Sequence, residues 1–306
     1  MFLLTLALSC TENSIHAHEG LDIFQQSPAD LVDVLLIVDD SCSMEPYQQE
    51  LSGHFEAFRG YLDQAEVHWH IGVTTTDAPE HLGQLQDFIR WDEEDSSARF
   101  AEAVQVGIEG SGIEMGLEAA QLTLERDTSG FVRPEASFSA IFVSDEEDAS
   151  PHAVSDYIRT FEALKGLRER DAVSASAIVT LDEASCGNEW STRGDRYVHA
   201  AEFTEGVVGD VCSDDFEPIL VELGFSASRL LDTFELSELP NPPTLELELD
   251  GEAVPCTEGR WRYELLDQES GSQPAVVFER SAMPAPEQEI VVRYRLGEGD
   301  PEDFCP

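Results

Sequence analysis

Short apolar runs alternate with amphipathic helical patterns from Asp33 to about Leu231. The run DVLLIVD at residues 33–39 is almost continuously apolar, which is typical of a strand buried on both faces. Apolar residues then recur at helical spacing. The alternation predicts an α/β fold, a doubly wound and mostly parallel sheet with helices on both faces. The helical positions are Leu51, Phe55, Phe58 and Leu62, and later strands are FSAIFVSD (138–145) and AVSASAIVTLD (172–182).

The pattern changes after Pro240, where the apolar residues begin to alternate with a period of two. No helical segment interrupts this pattern, and Asp250-Gly251 is a typical hairpin turn. We therefore predict an α/β domain over residues 31–238 and a small antiparallel, sandwich-like β domain over residues 241–306. The strands predicted for the second domain are TLELELDGE (244–252), RWRYELL (260–266), AVVFE (275–279) and EIVVRYRL (289–296).

The charge of the chain excludes several kinds of partner. Its 306 residues include 17 basic and 63 acidic side chains, a formal net charge of −46. This charge repels a phosphate backbone, so nucleic acid is excluded as a partner. It also disfavours contact with an anionic membrane surface, although a lipid anchor remains compatible with it.

The N-terminal sequence MFLLTLALSC is apolar but too short to span a bilayer. A short apolar run followed by a small residue and a cysteine resembles the lipobox of bacterial lipoproteins. This resemblance implies a signal over residues 1–10, acylation of Cys10 and a tether over residues 11–30. An ordinary cleaved signal peptide and a buried N-terminal strand are the alternatives.

Export of the chain makes the remaining cysteines candidates for disulfide bonds. Proximity in the sequence favours a Cys186–Cys212 bond and a Cys256–Cys305 bond, with Cys42 left over. Proximity does not exclude other pairings.

Oxygen-bearing side chains are concentrated directly after the first predicted strand. Asp39, Ser41 and Ser43 lie at positions i, i+2 and i+4, beyond the strand end where α/β sheets place their ligands. Carboxylate and hydroxyl oxygens suit a hard cation such as Mg²⁺. Asp145 ends another apolar strand, and the two strand ends meet if the strands are neighbours. The alternative interpretation is that Asp39 and the serines cap the following helix.

These residues resemble the metal-ion-dependent adhesion site of the von Willebrand factor A (vWA) domain, which has Asp-x-Ser-x-Ser after its first strand and a later aspartate. More specifically, the sequence resembles the bacterial lipoprotein members that carry a small β domain. The resemblance implies that Asp39, Ser41, Ser43 and Asp145 hold Mg²⁺, or Mn²⁺ or Ca²⁺. The family threonine is missing; Ser111 is the favoured substitute, and the segment 74–77 (TTTD) is another source.

The resemblance implies a binding module in which the cation accepts an acidic group of a protein partner. The expected location is the envelope of a Gram-negative-type bacterium, as an outer-membrane lipoprotein. A metal-free structural or assembly scaffold is the alternative. We do not expect an enzyme, because Ser41 stands where a haloacid dehalogenase-type phosphatase has its second aspartate. We interpret Glu146, Glu147 and Asp148 as solvated loop acids. The sequence indicates no oligomeric state.

Overall fold

The structure is a computed structural model that describes residues 19–77, 82–85, 87–165, 172–186, 189–268, 271–297 and 304. The strands are β1 (Glu19–Gln25), β2 (Leu31–Val38), β3 (His68–Thr75), β4 (Asp87–Arg90), β5 (Ser137–Ser144), β6 (Val173–Val179), β7 (Val208–Asp210), β8 (Thr233–Glu235), β9 (Glu246–Leu249), β10 (Glu252–Ala253), β11 (Trp261–Gln268), β12 (Gly271–Phe278) and β13 (Glu289–Arg295). The helices are α1 (Glu45–Gly53), α2 (Phe55–Gln64), α3 (Ser96–Ala103), α4 (Gly116–Arg126), α5 (Val154–Lys165), α6 (Asp195–Phe203) and α7 (Glu217–Ser228).

The chain divides into two compact units. The described residues between 27 and 230 form the first, the α/β unit. The described residues from 231 onward form the second, the β unit, together with residues 19–26.

The α/β unit contains a six-stranded sheet in the order β4-β3-β2-β5-β6-β7. All neighbouring strands are parallel except β4, which is antiparallel to β3. Val38 is in register with Thr75 of β3 on one side and with Val143 of β5 on the other. The carboxyl ends of these three strands therefore lie at one edge, as the predicted doubly wound sheet requires.

Helices cover both faces of this sheet because the central strands are apolar on both sides. Helices α4, α5 and α6 contribute to one buried cluster with β2, β5 and β6. Helix α2 contacts α7 and α3, and α7 contacts β2 and β6. The aromatic members of the cluster are Phe131, Phe138, Phe142, Tyr157, Phe161 and Tyr197.

The single helix predicted through Leu51 and Leu62 is two helices in the structure. Helix α1 ends at Gly53, and α2 begins at Phe55. His54 between them has a φ of −115°, outside the helical region. Gly53 has weak helix propensity, which favours a break at this point.

The β unit consists of two antiparallel sheets, with strand orders β1-β13-β9-β10 and β11-β12-β8. It includes residues 233–235, which the sequence analysis placed in the α/β domain; β8 instead pairs with β12. Burial alternates along β9, as the period of two predicted, whereas β13 buries the three consecutive residues Ile290, Val291 and Val292.

The predicted tether over residues 11–30 is wrong for part of its length. Residues 19–25 form β1, which pairs along its whole length with β13. The hydroxyl of Tyr294 on β13 also donates a 2.6 Å hydrogen bond to Asp22 Oδ2. A strand whose partner lies at the far end of the chain has no local sequence signal, which is why the segment resembles a linker.

Candidate metal centre

The two aspartates predicted to form the centre lie side by side. Asp39 follows β2 directly, and Asp145 follows β5, the neighbouring strand. The backbone N–H of Asp39 donates a 2.9 Å hydrogen bond to the carbonyl of Val143. Both aspartates are 0% exposed. The two strands are thus neighbours, and the two acidic strand ends meet.

The serines of the loop connect the two carboxylates. Asp39 Oδ1 accepts a 2.7 Å hydrogen bond from the backbone N–H of Ser41. The hydroxyl oxygens of Ser41 and Ser43 are 3.1 Å apart, and Ser43 Oγ donates to Asp145 Oδ1 at 3.0 Å. Ser144 Oγ donates to Asp39 Oδ2 at 2.6 Å. The result is a continuous hydrogen-bonded connection from Asp39 to Asp145 at the edge of the sheet, through the backbone N–H of Ser41 and the two serine hydroxyls.

Asp145 is held by residues that the sequence analysis did not identify. Ser191 Oγ donates to Asp145 Oδ2 at 2.9 Å. The backbone carbonyl of Asp145 accepts hydrogen bonds from Thr180 Oγ1 at 3.0 Å and from the N–H of Thr192 at 2.9 Å. These contacts orient the aspartate from the loops that follow β6.

A third buried acid, Glu114, lies at the same edge of the sheet and was also missed. It is 1% exposed, and its Oε2 accepts a hydrogen bond from Thr76 Oγ1. The N–H of Thr76 in turn donates to the carbonyl of Val38, the residue before Asp39. Glu114 Oε1 has no hydrogen-bond partner among the described residues.

The electrostatics of the edge disfavour ionised carboxylates. Burial raises the pKa of Asp39 to about 7. Hydrogen bonds from Ser144 and Ser41 lower this pKa in part, and the negative charge of Asp145 raises it further. Burial likewise raises the pKa of Glu114 to about 9, with further contributions from Asp39 and other acids. The charges acting on these two acids are negative, so a cation bound here would relieve their repulsion.

The hydroxyls considered as substitutes for the family threonine have different surroundings. Ser111 Oγ donates to the carbonyl of Ile113 at 3.3 Å, within its own loop. Thr75 is 1% exposed, and its hydroxyl has no partner among the described residues. The loop of Ser111 reaches the centre through Gly110, whose N–H donates to the carbonyl of Asp40 at 2.9 Å. The role of Ser111 as a ligand stays a prediction.

Two interpretations of the acids at this edge are wrong. Helix α1 begins at Glu45 without a side-chain cap, so Asp39 does not cap it. Asp148 is 3% exposed and pairs with Arg196, whose Nε lies 2.8 Å from its Oδ2, so it is not a solvated loop acid. Glu147 accepts a hydrogen bond from the N–H of Arg196 at 3.1 Å. The segment after β5 is therefore tied to the start of α6.

A disulfide bond links Cys186 to Cys212, as predicted from their proximity in the sequence. It joins the loop that follows β6 to the segment that follows β7. Cys42, within the loop of the centre, is free and exposed.

The predicted Cys256–Cys305 bond and the predicted acylation of Cys10 both involve residues outside the described part of the chain. Cys256 is disulfide-bonded. Cys305, the partner predicted for it, and Cys10, the predicted lipidation site, both lie outside the described residues. Among the described residues, no helix is long and apolar enough to cross a membrane.

Among the described residues of the α/β unit, two further groups bring potential metal ligands together. One contains Cys186, Cys212 and Asp210, but its two sulfur atoms form the disulfide bond. The other contains His54, Asp215 and Glu217, of which the two acids are exposed. Exposed acids commonly lie together without a cation, so this second group serves only as a control in the binding experiments.

Comparison with known proteins gives matches among solved structures alone. No protein-family model matches the chain, and no curated protein matches it. A von Willebrand factor type A structure from Catenulispora acidiphila is 16% identical to this chain, with a TM-score of 0.41. The match covers 96% of this chain and 68% of the Catenulispora chain. The pilus adhesin SpaC from Lactobacillus rhamnosus GG, in its open conformation, is 14% identical with a TM-score of 0.47. Proximal thread matrix protein 1 from the mussel byssus is 13% identical with a TM-score of 0.43.

The match to SpaC covers 90% of this chain and 41% of the SpaC chain. The match to the byssus protein covers 71% of this chain and 52% of the byssus protein. Because the TM-scores are below 0.5, the fold assignment depends on the chain's own topology. The sheet order, the antiparallel edge strand and the positions of Asp39 and Asp145 define a vWA-like fold.

The donor set fits a hard divalent cation. Asp39, Asp145, Ser41 and Ser43 offer the carboxylate and hydroxyl oxygens that Mg²⁺, Mn²⁺ and Ca²⁺ prefer. Buried acids with raised pKa values and the unpartnered oxygen of Glu114 are the features that a bound cation would compensate. The residues present are therefore compatible with the cation that the sequence predicts.

Proposed function

We propose that the α/β unit is a cation-dependent protein-binding module of an exported, lipid-anchored chain. Asp39, Ser41, Ser43 and Asp145 hold a divalent cation, which accepts an acidic group of a protein partner. The observation that carries this proposal is the hydrogen-bonded connection from Asp39 through Ser41 and Ser43 to Asp145 at the carboxyl edge of the sheet.

The cation supplies the positive charge that this edge lacks. With a net charge of −46, the chain repels an acidic partner at long range, and the buried acids strengthen that repulsion locally. A divalent cation bound between the two carboxylates neutralises their charge and leaves a coordination position for an oxygen ligand. Ser41 and Ser43 contribute neutral oxygens, so they add ligands without adding negative charge.

The surroundings of the centre suit contact with a protein. Ile113, next to Glu114, is 59% exposed, and Trp190, next to Ser191, is 68% exposed. Aromatic residues, tryptophan above all, are enriched in protein interfaces. Both residues lie in the loops that carry the centre, so a partner that reaches the cation also contacts them.

Cation binding is tested by isothermal titration calorimetry. The full chain is stripped with EDTA, returned to buffer of matched ionic strength and titrated with Mg²⁺, Mn²⁺ and Ca²⁺. Matched ionic strength separates site binding from general screening of the acidic surface. Asp39→Asn should abolish binding at the centre, whereas Glu125→Gln, which removes one exposed charge from α4, should not. His54→Ala disrupts the group of His54, Asp215 and Glu217 and should leave the binding intact.

Partner binding is tested by a pull-down from envelope extract with and without chelator. The proposal expects a protein that is captured by the wild type with cation and is lost with EDTA or with Asp39→Asn. If the wild type binds no cation, the metal-centre proposal fails, and the metal-free structural or assembly scaffold takes its place. Mass spectrometry of membrane-extracted protein tests acylation of Cys10 separately.

A further inference from the structure

The side chain of Gln48 joins two segments at the carboxyl edge of the sheet. Gln48 lies on α1 and is 3% exposed. Its Nε2 donates a 2.9 Å hydrogen bond to the carbonyl of Asp39 and a 2.8 Å hydrogen bond to the carbonyl of Gly107. A side-chain amide nitrogen carries two hydrogen atoms, so both are used. One buried side chain therefore links the end of β2 to the loop between α3 and α4, which spans residues 104–115 and is called the α3–α4 loop below.

The α3–α4 loop is also fastened to this edge by its own backbone. The N–H of Gly110 donates a 2.9 Å hydrogen bond to the carbonyl of Asp40. A Cβ atom at Gly110 would clash with Asp40 Oδ1, so this close approach requires glycine. The N–H of Ser111 donates to Asp77 Oδ1 at 3.1 Å. The loop is thus held against the residues that follow β2 and β3.

Gly107 has a backbone conformation that other residues rarely adopt. Its φ is +103°, in the region that favours glycine. An added Cβ atom would meet no other atom within 4 Å. Gly107→Ala would therefore strain the backbone that presents the carbonyl to Gln48, without a steric clash.

The contacts of Gln48 concern both the cation and the partner of the proposed function. Asp39, whose carbonyl accepts from Gln48, contributes a carboxylate to the proposed centre. In the α3–α4 loop, Ile108 next to Gly107 is 40% exposed, and Ile113 is 59% exposed. Contact with a partner would remove this apolar surface from water, which is favourable. One amide group thus connects the cation loop to a loop with exposed apolar side chains.

We propose that Gln48 is a positioning residue of this site. It holds the backbone of Asp39 and the α3–α4 loop together, and it thereby sets both the affinity of the centre for its cation and the order of the loop that a partner contacts. This inference depends on the proposed function, since it assigns a role at the same site. Gln48 acts through Asp39 and Gly107 and is not itself a ligand of the cation.

Calorimetry with Mg²⁺, Mn²⁺ and Ca²⁺ on the EDTA-stripped full chain measures the effect on the cation. Gln48→Met keeps a long, unbranched side chain but removes both hydrogen bonds. It should weaken cation binding by about tenfold, because contacts that orient a metal ligand contribute about 10- to 100-fold to metal affinity. Gln49→Met is the matched control, since Gln49 is the exposed neighbour of Gln48 on α1. This control should leave the affinity unchanged.

Hydrogen exchange in EDTA measures the effect on the loop without a cation. Gln48→Met should speed amide exchange in the peptide that covers residues 104–115, and Gln49→Met should not. Leu51→Val controls for a general loss of stability, because it removes a methylene from a 0% exposed residue of α1. It should lower the midpoint of urea unfolding but leave cation affinity and loop exchange unchanged.

A double-mutant cycle tests the contact between Gln48 and Gly107. In EDTA, Gln48→Met and Gly107→Ala should each lower the midpoint of urea unfolding. Residues in contact are not additive, so the shift in the double variant should be smaller than the sum of the two single shifts. A shift equal to the sum would overturn the contact on which the inference depends.

The inference and the proposed function fail in different ways. A wild type that binds no cation overturns the proposed function, and the role of Gln48 at the centre with it. A wild type that binds, with Gln48→Met no weaker than Gln49→Met, overturns the role of Gln48 alone and leaves the centre in place. Equal losses of affinity in Gln48→Met and Leu51→Val also overturn that role, because they reflect stability alone.

Gly107→Ala replaces Gln48→Met if the near-ultraviolet circular dichroism of the latter differs from that of the wild type. It leaves the amide of Gln48 intact and perturbs the same contact from the side of the loop. It should speed exchange in residues 104–115 and weaken cation binding more than Gln49→Met does. Wild-type exchange and wild-type affinity in Gly107→Ala would overturn the inference.

Discussion

Ser43 Oγ donates a 3.0 Å hydrogen bond to Asp145 Oδ1 across 102 residues of sequence. This contact links the loop after β2 to the loop after β5 without a metal ion. The hydroxyl group is a hydrogen-bond donor here, and the proposed function gives it a second role as a neutral oxygen ligand of the cation. The contact positions both loops before a cation arrives.

The first prediction concerns this serine. Ser43→Ala should weaken cation binding without abolishing it, because a water molecule replaces one neutral ligand. The apoprotein should lose about 1 kcal/mol of unfolding free energy with the hydrogen bond. Calorimetry and urea unfolding measure the two effects. Ser52→Ala is the matched control, since the Ser52 hydroxyl bonds within α1 and is exposed. Equal cation affinities in Ser43→Ala and the wild type would contradict the assigned ligand role.

The second prediction concerns the pH dependence of stability without cation. The pKa of Asp39 is raised from 3.8 to about 7 and that of Glu114 from 4.5 to about 9. Between about pH 4 and pH 9, native Asp39 and Glu114 therefore retain protons that the unfolded chain releases. Their contribution to the unfolding free energy falls as the pH rises through this window and is at its lowest above it.

The double variant Asp39→Asn with Glu114→Gln isolates this contribution, because all other acids remain. In EDTA, the unfolding free energy of the wild type should fall more steeply from pH 5 to pH 9 than that of the double variant. Urea unfolding at pH 5, 7 and 9 measures both curves. Parallel curves would show that these two acids do not titrate as described.

The core of the centre was predictable because its signals are local. Asp39, Ser41 and Ser43 are adjacent in sequence, and Asp145 ends a strand whose apolar composition is recognisable by itself. The sequence left the adjacency of these two strands as a condition, and the sheet order, in which β2 lies beside β5, meets it. The fold class could therefore be predicted together with these four residues.

The remaining parts of the centre have no comparable signal. Glu114 is one of 63 acidic residues, and nothing in its local sequence shows that it is buried. Ser191 reaches Asp145 from a loop 46 residues away. Likewise, β1 depends on β13 at the opposite end of the chain. Long-range contacts decide the roles of these residues, and a single sequence does not contain them.

The third prediction concerns a buried ion pair within the sheet of the α/β unit. Asp33 on β2 is 0% exposed, and its Oδ1 accepts a 2.7 Å hydrogen bond from Arg133 Nε. The backbone N–H of Arg133 also donates to Asp33 Oδ2 at 2.6 Å. Arg133→Met leaves a buried carboxylate without its cation and should cost about 3 kcal/mol or more.

Urea unfolding of the variants tests this pair. Asp33→Asn combined with Arg133→Met should be less destabilised than Arg133→Met alone, because the unpaired charge is removed. Arg159→Met is the control: Arg159 pairs with Asp156 on the exposed side of α5, and its loss should cost under about 1 kcal/mol. Equal costs for Arg133→Met and Arg159→Met would contradict the buried-pair interpretation.

The fourth prediction links the disulfide bond to the centre. The Cys186–Cys212 bond closes a loop with a sequence separation of 26 residues. Chain entropy predicts that a loop of this size contributes about 3 kcal/mol to stability. The loop also contains Ser191 and Thr192, which both contact Asp145. Removing the bond should therefore destabilise the α/β unit and loosen the support of Asp145 together.

The double variant Cys186→Ser with Cys212→Ser should lower the unfolding free energy. It should also weaken cation binding by about tenfold, because contacts that orient a metal ligand typically contribute about 10- to 100-fold to metal affinity. Ser191→Ala separates the two effects, because it removes the hydrogen bond to Asp145 Oδ2 but keeps the disulfide bond. It should weaken cation binding to a similar extent with a smaller loss of stability. Unchanged cation affinity in both variants would show that Asp145 is positioned by its own strand and does not need the loop.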